Sequence, residues 1–149
     1  MDSVRQQIVS AIDARLKGIL ISGGYETNAG QHVFDWRVEE TEEDVLPALI
    51  YRDTTVESSV DSFSAHAHKM TVTILALATD STPMAEIRKI IADVDKAIGV
   101  DHTWGNLAIM TERVGDTSEI EMAEKKYAAS QITIAVTFRT VAWDAYTKV

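Results

Sequence analysis

The sequence predicts an α+β domain, a mostly antiparallel sheet of about four to five strands with two main helices packed on one face. Three observations carry this. Two segments repeat apolar residues at helical spacing. Several others alternate apolar and polar residues at the spacing of a half-buried strand. The alternating segments come in runs, three and then two, rather than each being followed by a helix. The chain has 149 residues, which suits one domain covering 1–149.

The first helix is expected over residues 4–20. Ser3 is a natural cap with Gln6 three positions on, and Val4, Ile8, Ile12, Leu16 and Ile19 form one stripe ended by Gly23 and Gly24. Residues 31–38 alternate His32, Phe34, Trp36 and Val38 against polar neighbours, a strand pattern. The acidic run Glu39, Glu40, Glu42, Glu43 and Asp44 reads as a turn. A second strand is expected over 46–52, with Pro47 at its start or on an edge because it has no N–H. Residues 53–68 are polar and serine-rich and read as a long loop, mobile in the free subunit. Residues 70–78 read as a third strand.

The second helix is the clearest element, over residues 83–98. Thr82 suits the cap, Pro83 the first helical position and Gly99 the stop. Met84, Ile87, Ile90, Ile91, Val94 and Ile98 fall in one narrow arc, with Glu86, Lys89, Asp93 and Lys96 on the other face. Residues 107–114 and 130–141 read as the last two strands, separated by an acidic loop over 115–126 and followed by a short tail. Thr71, Thr73, Thr133, Thr137 and Arg139 fall on the sheet face opposite the helices.

Composition narrows the function. There are no cysteines, which removes disulfides, thiolate metal sites and cysteine nucleophiles. Net charge is −9, with 23 acidic against 14 basic residues, a poor balance for gripping a phosphate backbone. The N-terminal residues lack the pattern of a secretory signal, and the longest apolar run, residues 74–78, is far short of a membrane span. A soluble protein made in the cytoplasm is expected, with no membrane partner.

No reaction is expected. His66 and His68 lie two residues apart, on one face if they are on a strand, but no third ligand accompanies them, and a pair of solvated loop histidines is the plainer reading. No tight metal site is expected there. The glycines form no phosphate loop, and the acidic run lacks the burial that acid–base chemistry needs. Ser58, Ser59, Ser62 and Ser64 stand in no nucleophile elbow. Trp36, Trp104 and Trp143 are scattered, as core or interface anchors are. No catalytic, cofactor-binding or metal residue is assigned, and no cofactor is expected. Val56, Val60, Phe63, Trp143 and Tyr146 are the candidate interface residues.

The element order resembles the tail terminator family of lambda-like phages. The stretches that carry the likeness are LKGILISGGYE, VLPALIYRD, KMTVTILALA, STPMAEIRKIIADVDKAIG and SQITIAVTFRTVAWD, spread over residues 4–146. The resemblance implies a structural virion protein without catalytic residues. Such proteins form a hexameric ring at the head-proximal end of the tail tube. The ring stops polymerisation of the tube protein and gives the head connector or head-closure protein a docking surface, and DNA passes through without specific binding. An acidic lumen is expected, with part of residues 39–44 or 116–124 near it or at the subunit interface. The rival readings are a head–tail joining (head-closure) protein and, from another class, a small α+β enzyme or ligand-binding domain.

Overall fold

A computed structural model describes residues 1–37, 45–79, 81–122 and 126–149. The acidic run of residues 39–44 lies outside them. The fold is α+β, with α1 (Val4–Lys17), β1 (Val33–Asp35), β2 (Ala48–Ser62), β3 (Ala65–Thr79), α2 (Pro83–Gly99), β4 (Met110–Met122), β5 (Lys126–Val141) and β6 (Asp144–Lys148). The strands form one curled sheet in the order β1-β2-β3-β5-β4, with β6 also pairing with β5. β1 runs parallel to β2 and the other pairings are antiparallel. The sheet is therefore mixed, not the mostly antiparallel one expected. The parallel strand is only three residues long because Trp36 leaves it with φ 52.

Helix α1 starts where Ser3 predicts, with the Ser3 hydroxyl accepting from the Gln6 amide at 3.1 Å. The Gln6 side chain turns to Ser10 instead of closing a reciprocal box. The helix stops at Lys17, not at residue 20, with Gly18 as its cap, and a short 3₁₀ turn follows at Ile21–Gly23. The chain then folds back on the helix end. Gly30 donates to the Ile19 carbonyl at 2.9 Å, and a Cβ at Gly30 would collide with the Leu16 carbonyl oxygen. The stripe Val4, Ile8, Ile12, Leu16 and Ile19 is wholly buried.

Helix α2 matches its expected span closely, but its ends differ. Thr82 makes no side-chain cap bond, and Gly99 is the last helical residue, with a right-handed Val100 as the cap. Ile87, Ile90, Val94 and Ile98 are buried, whereas Met84 and Ile91 are half-buried at the rim. Asp93 departs from its expected place on the exposed face. It is 3% exposed and accepts from the Glu26 and Thr27 amides and the Thr27 hydroxyl at 3.1, 2.8 and 2.7 Å. Three donors replace the water that a buried carboxylate loses. They also pin the segment after α1 to α2.

Both helices share a core with the sheet face carrying Leu49, Tyr51, Met70, Val72, Ile74, Ile132, Ile134 and Val136. Tyr51 reaches α1, donating its hydroxyl to Asp13 at 2.8 Å. Its pKa is raised by burial and by that bond. No helix among the described residues is long and apolar enough to cross a membrane.

The largest differences from expectation lie in the two segments read as loops. Residues 53–68 are not a mobile loop but the outer halves of β2 and β3, paired from Asp53↔Val72 out to Ser62↔Ala65. Residues 115–122 continue β4, and residues 144–148 of the tail form β6. Both faces of β2 are exposed beyond the helix layer, so its serines and threonines meet no core and leave no apolar alternation to read. The β2 bulge between Asp53 and Thr55 shifts the pairing by one residue, which turns Val56, Ser58 and Val60 toward the helix-side face.

Two stability predictions follow from this packing. Ile90→Ala should cost about 2–5 kcal/mol by urea denaturation, and Ile91→Ala distinctly less. Asp93→Ala should cost about 3 kcal/mol by stranding buried donors, with Asp93→Asn recovering part of the loss.

Candidate interaction surface

The β2–β3 turn at residues 63–64 and the β5–β6 turn at residues 142–143 lie side by side. Ala65 pairs with Val141, and the Ala142 amide donates to the Ser64 carbonyl at 2.9 Å. Trp143 takes a left-handed φ of 62, which a tight hairpin turn requires. The two turns carry Phe63, fully exposed, and Trp143 at 93%, and the strands beside them carry Val60 at 76% and Tyr146 at 55%. Four of the five candidate interface residues are therefore exposed at one end of the molecule. Val56 is not among them, because the bulge turns it inward to pack against the core.

His66 and His68 sit under this cluster on β3. They are half-buried strand residues, not solvated loop histidines. The His66 ring meets the Trp143 ring edge-on with centroids 5.1 Å apart. His68 lies between Ser58 on β2, 2.7 Å from Nδ1, and Thr140 on β5, 2.9 Å from Nε2, with its ring 4.9 Å from Phe138. A serine, an imidazole and a third hydrogen-bonding group in line resemble a nucleophile–base pair. Here the third group is a hydroxyl, which cannot balance an imidazolium as a carboxylate would. The arrangement ties three strands together. No cluster of three or more metal-ligating side chains occurs among the described residues.

On the other face, Asp61 forms an ion pair with Arg139. Thr71, Thr73, Thr133, Thr137 and Arg139 share that face and are half-buried in the curl.

The flanks of the sheet differ from the tips. β1 covers β2 only at Leu49–Tyr51, so the rest of β2 has β3 on one side and no strand on the other among the described residues. β4 likewise pairs only with β5. Along β4, Glu112, Asp116 and Glu119 are exposed. Arg113 is shared between Asp95 and Asp116 at 2.8 and 2.6 Å, which raises its pKa. Along outer β2, the carboxylates Asp53, Glu57 and Asp61 are matched by Arg5, Lys69 and Arg139, with Arg52 in addition. Burial works against ionisation of Asp53, but hydrogen bonds from Trp36 at 2.6 Å and Arg5 at 2.7 Å outweigh it and hold the carboxyl below its usual pKa. One flank is acidic and the other is balanced or slightly basic.

Sequence reasoning also missed the turn after α2. Asp101 accepts from the Thr103 hydroxyl and the Thr103 and Gly105 amides, which lowers its pKa to about 2. Residues 104–106 are all left-handed. They bury Trp104, whose ring lies 4.3 Å from the Arg15 guanidinium and whose Nε1 donates to Thr111 at 2.8 Å. The Asp-x-Thr of residues 101–103 is a turn signature that could have revealed it.

Burial of His68, and then the charge of nearby His66, hold its pKa below the ordinary value. The unfolded chain therefore takes up that proton more readily. The stability that neutral His68 provides is complete above its unfolded pKa of about 6.5 and is lost as pH falls through the lower folded value. The urea midpoint should fall on acidification from about pH 7 to pH 5, and by less in His68→Gln.

No family model matches the chain, and no curated protein matches it.

Proposed function

We propose that this chain is a ring-forming structural subunit of a phage tail, a tail terminator that ends the tube and receives the head connector. The observation that carries the reading is the sheet with two open flanks of unlike charge on opposite sides. A surface that pairs with a different surface of its own copy makes a heterologous contact, and such contacts close into rings when the rotation allows. Extended backbone is already in place on both flanks, so β4 of one copy can add to outer β2 of the next without refolding. The acidic run along β4 then faces the arginines and lysine beside β2.

In such a ring the strand ends lie above and below the flanks. The turns bearing Phe63 and Trp143, with Val60 and Tyr146 on the strands beside them, are left free by these contacts. The threonine-bearing sheet face offers hydroxyls without a dense row of cations, and DNA slides past such a wall more readily than past one that neutralises its phosphates.

Native mass spectrometry at rising protein concentration should show a hexamer, and the protein should arrest growth of tail tubes. Glu112→Lys with Glu119→Lys should abolish the hexamer while leaving the thermal melt unchanged, since both side chains are exposed. Lys69→Glu, beside the other flank on β3, should do the same alone. Mixing the two variants sets each reversed flank against an opposite charge and leaves the other two flanks unaltered, so the mixture should recover the hexamer. A parent protein that stays monomeric at all concentrations and leaves tube growth unchanged defeats the reading.

A further inference from the structure

We propose that the apolar cluster at the two hairpin turns is a surface through which two copies of this chain meet tip to tip, with His66 and His68 making the contact sensitive to pH. The contact uses neither flank and does not rest on the ring.

Size is the first argument. Phe63, Trp143 and Tyr146 stand together at one end with Val60, all more than half exposed. Aromatic side chains bury roughly 150–250 Å² each, so the cluster offers about 500 Å² or more. A patch of that size equals the largest apolar patch of a typical monomer, and such patches are often functional. It also approaches the ~800 Å² that each partner contributes to a standard interface, so two such patches are commensurate with each other.

Charge decides the occupant. The chain carries −9 overall, so two copies approaching by most of their surface bring carboxylates together. The tips are the exception. Next to the turns Asp61 is paired with Arg139, and Asp144 and Lys148 share β6. With cations and carboxylates in balance, like can meet like there without repulsion. The same balance argues against an anionic lipid surface, which calls for unpaired cations beside the aromatic residues.

The histidines supply the pH dependence. His66 touches Trp143 at the centre of the cluster, and His68 lies 6.2 Å from His66. Val60 and Thr140 flank His66 in the strand register, and Ser58 and Phe138 flank His68. The charged groups on the outer parts of the same elements are Glu57 and Asp61 on β2, Lys69 on β3, Arg139 on β5, and Asp144 and Lys148 on β6. None of these carboxylates hydrogen-bonds either imidazole in the described contacts. A proton on His66 then places a cation inside an apolar contact that excludes water, and a second on His68 repels the first.

The test is sedimentation velocity in the Glu112→Lys, Glu119→Lys background, so that association through the flanks is removed and failure of the ring reading is a separate result. At neutral pH the protein should form a dimer. Phe63→Ser with Trp143→Ser should weaken it at least tenfold without lowering the melting temperature. Acidification to about pH 5 should also weaken it, and His66→Gln with His68→Gln should remove that dependence. Equal sedimentation of parent and double serine variant at all concentrations overturns the proposal. So does binding of the parent, as monomer, to phosphatidylcholine vesicles, which assigns the cluster to lipid. A dimer indifferent to pH overturns the role of the histidines.

Discussion

The pairing of β3 with β5 is the constraint on which the rest of the structure depends. It runs without a bulge from Ala65↔Val141 to Thr79↔Tyr127. Each side chain on one strand therefore has a fixed neighbour on the other, and one face receives Met70, Val72 and Ile74 beside Val136, Ile134 and Ile132. That face is the floor on which both helices pack. The ladder joins residues far apart in sequence, so its loop-closure cost is recovered only when the whole floor forms. At its outer end the same register places His66 beside Thr140 and His68 beside Phe138. The core and the candidate surface are two ends of one ladder.

Irregular segments are held by buried or tightly bonded carboxylates. Asp93 on α2 gathers the Glu26 and Thr27 amides, and Asp101 gathers those of Thr103 and Gly105. Arg15 ties α1 to the second of these turns. It donates to the Asp101 carbonyl at 2.7 Å and lies over the Trp104 ring. A carboxylate accepting several backbone N–H groups satisfies a chain that has left regular structure, which is what these turns need. The acidity of the chain is thus partly structural and not only a solvated coat.

How much was legible in the sequence follows from where water lies. The buried stripe of α1, the apolar arc of α2 and the inner halves of β3 and β5 have water on one side and core on the other, so their periodicity reports their structure. Outer β2, with Ser58, Ser59 and Ser62, has water on both sides, and its strand is specified only by its partner β3. The same holds for residues 116–120 of β4. Asp93 misled for a related reason, since its spacing among Glu86, Lys89 and Lys96 suggested a charged face, and only the returning segment at Thr27 buries it. The candidate surface was legible as single residues, Val60, Phe63, Trp143 and Tyr146. Their convergence was not, because it depends on two turns separated by most of a sheet.

Outer β2 is exposed on both faces, and this bears on how the molecule meets others. Strands that project past their helices gain little from burial, so their apolar side chains contribute most when a partner covers them. Flanks and tips then divide the work by chemistry. The flanks offer backbone, which is directional and fixes register, and their unlike charges favour a different flank over an identical one. The tips offer aromatic area, which is non-directional and tolerant of shape, with little net charge to choose a partner by sign. Contacts that must repeat around an axis are better served by the first kind, and contacts that must be made and released by the second. In this fold the second kind stands directly over two half-buried imidazoles, so the surface least able to select by charge is also the one on which a single proton changes the charge most.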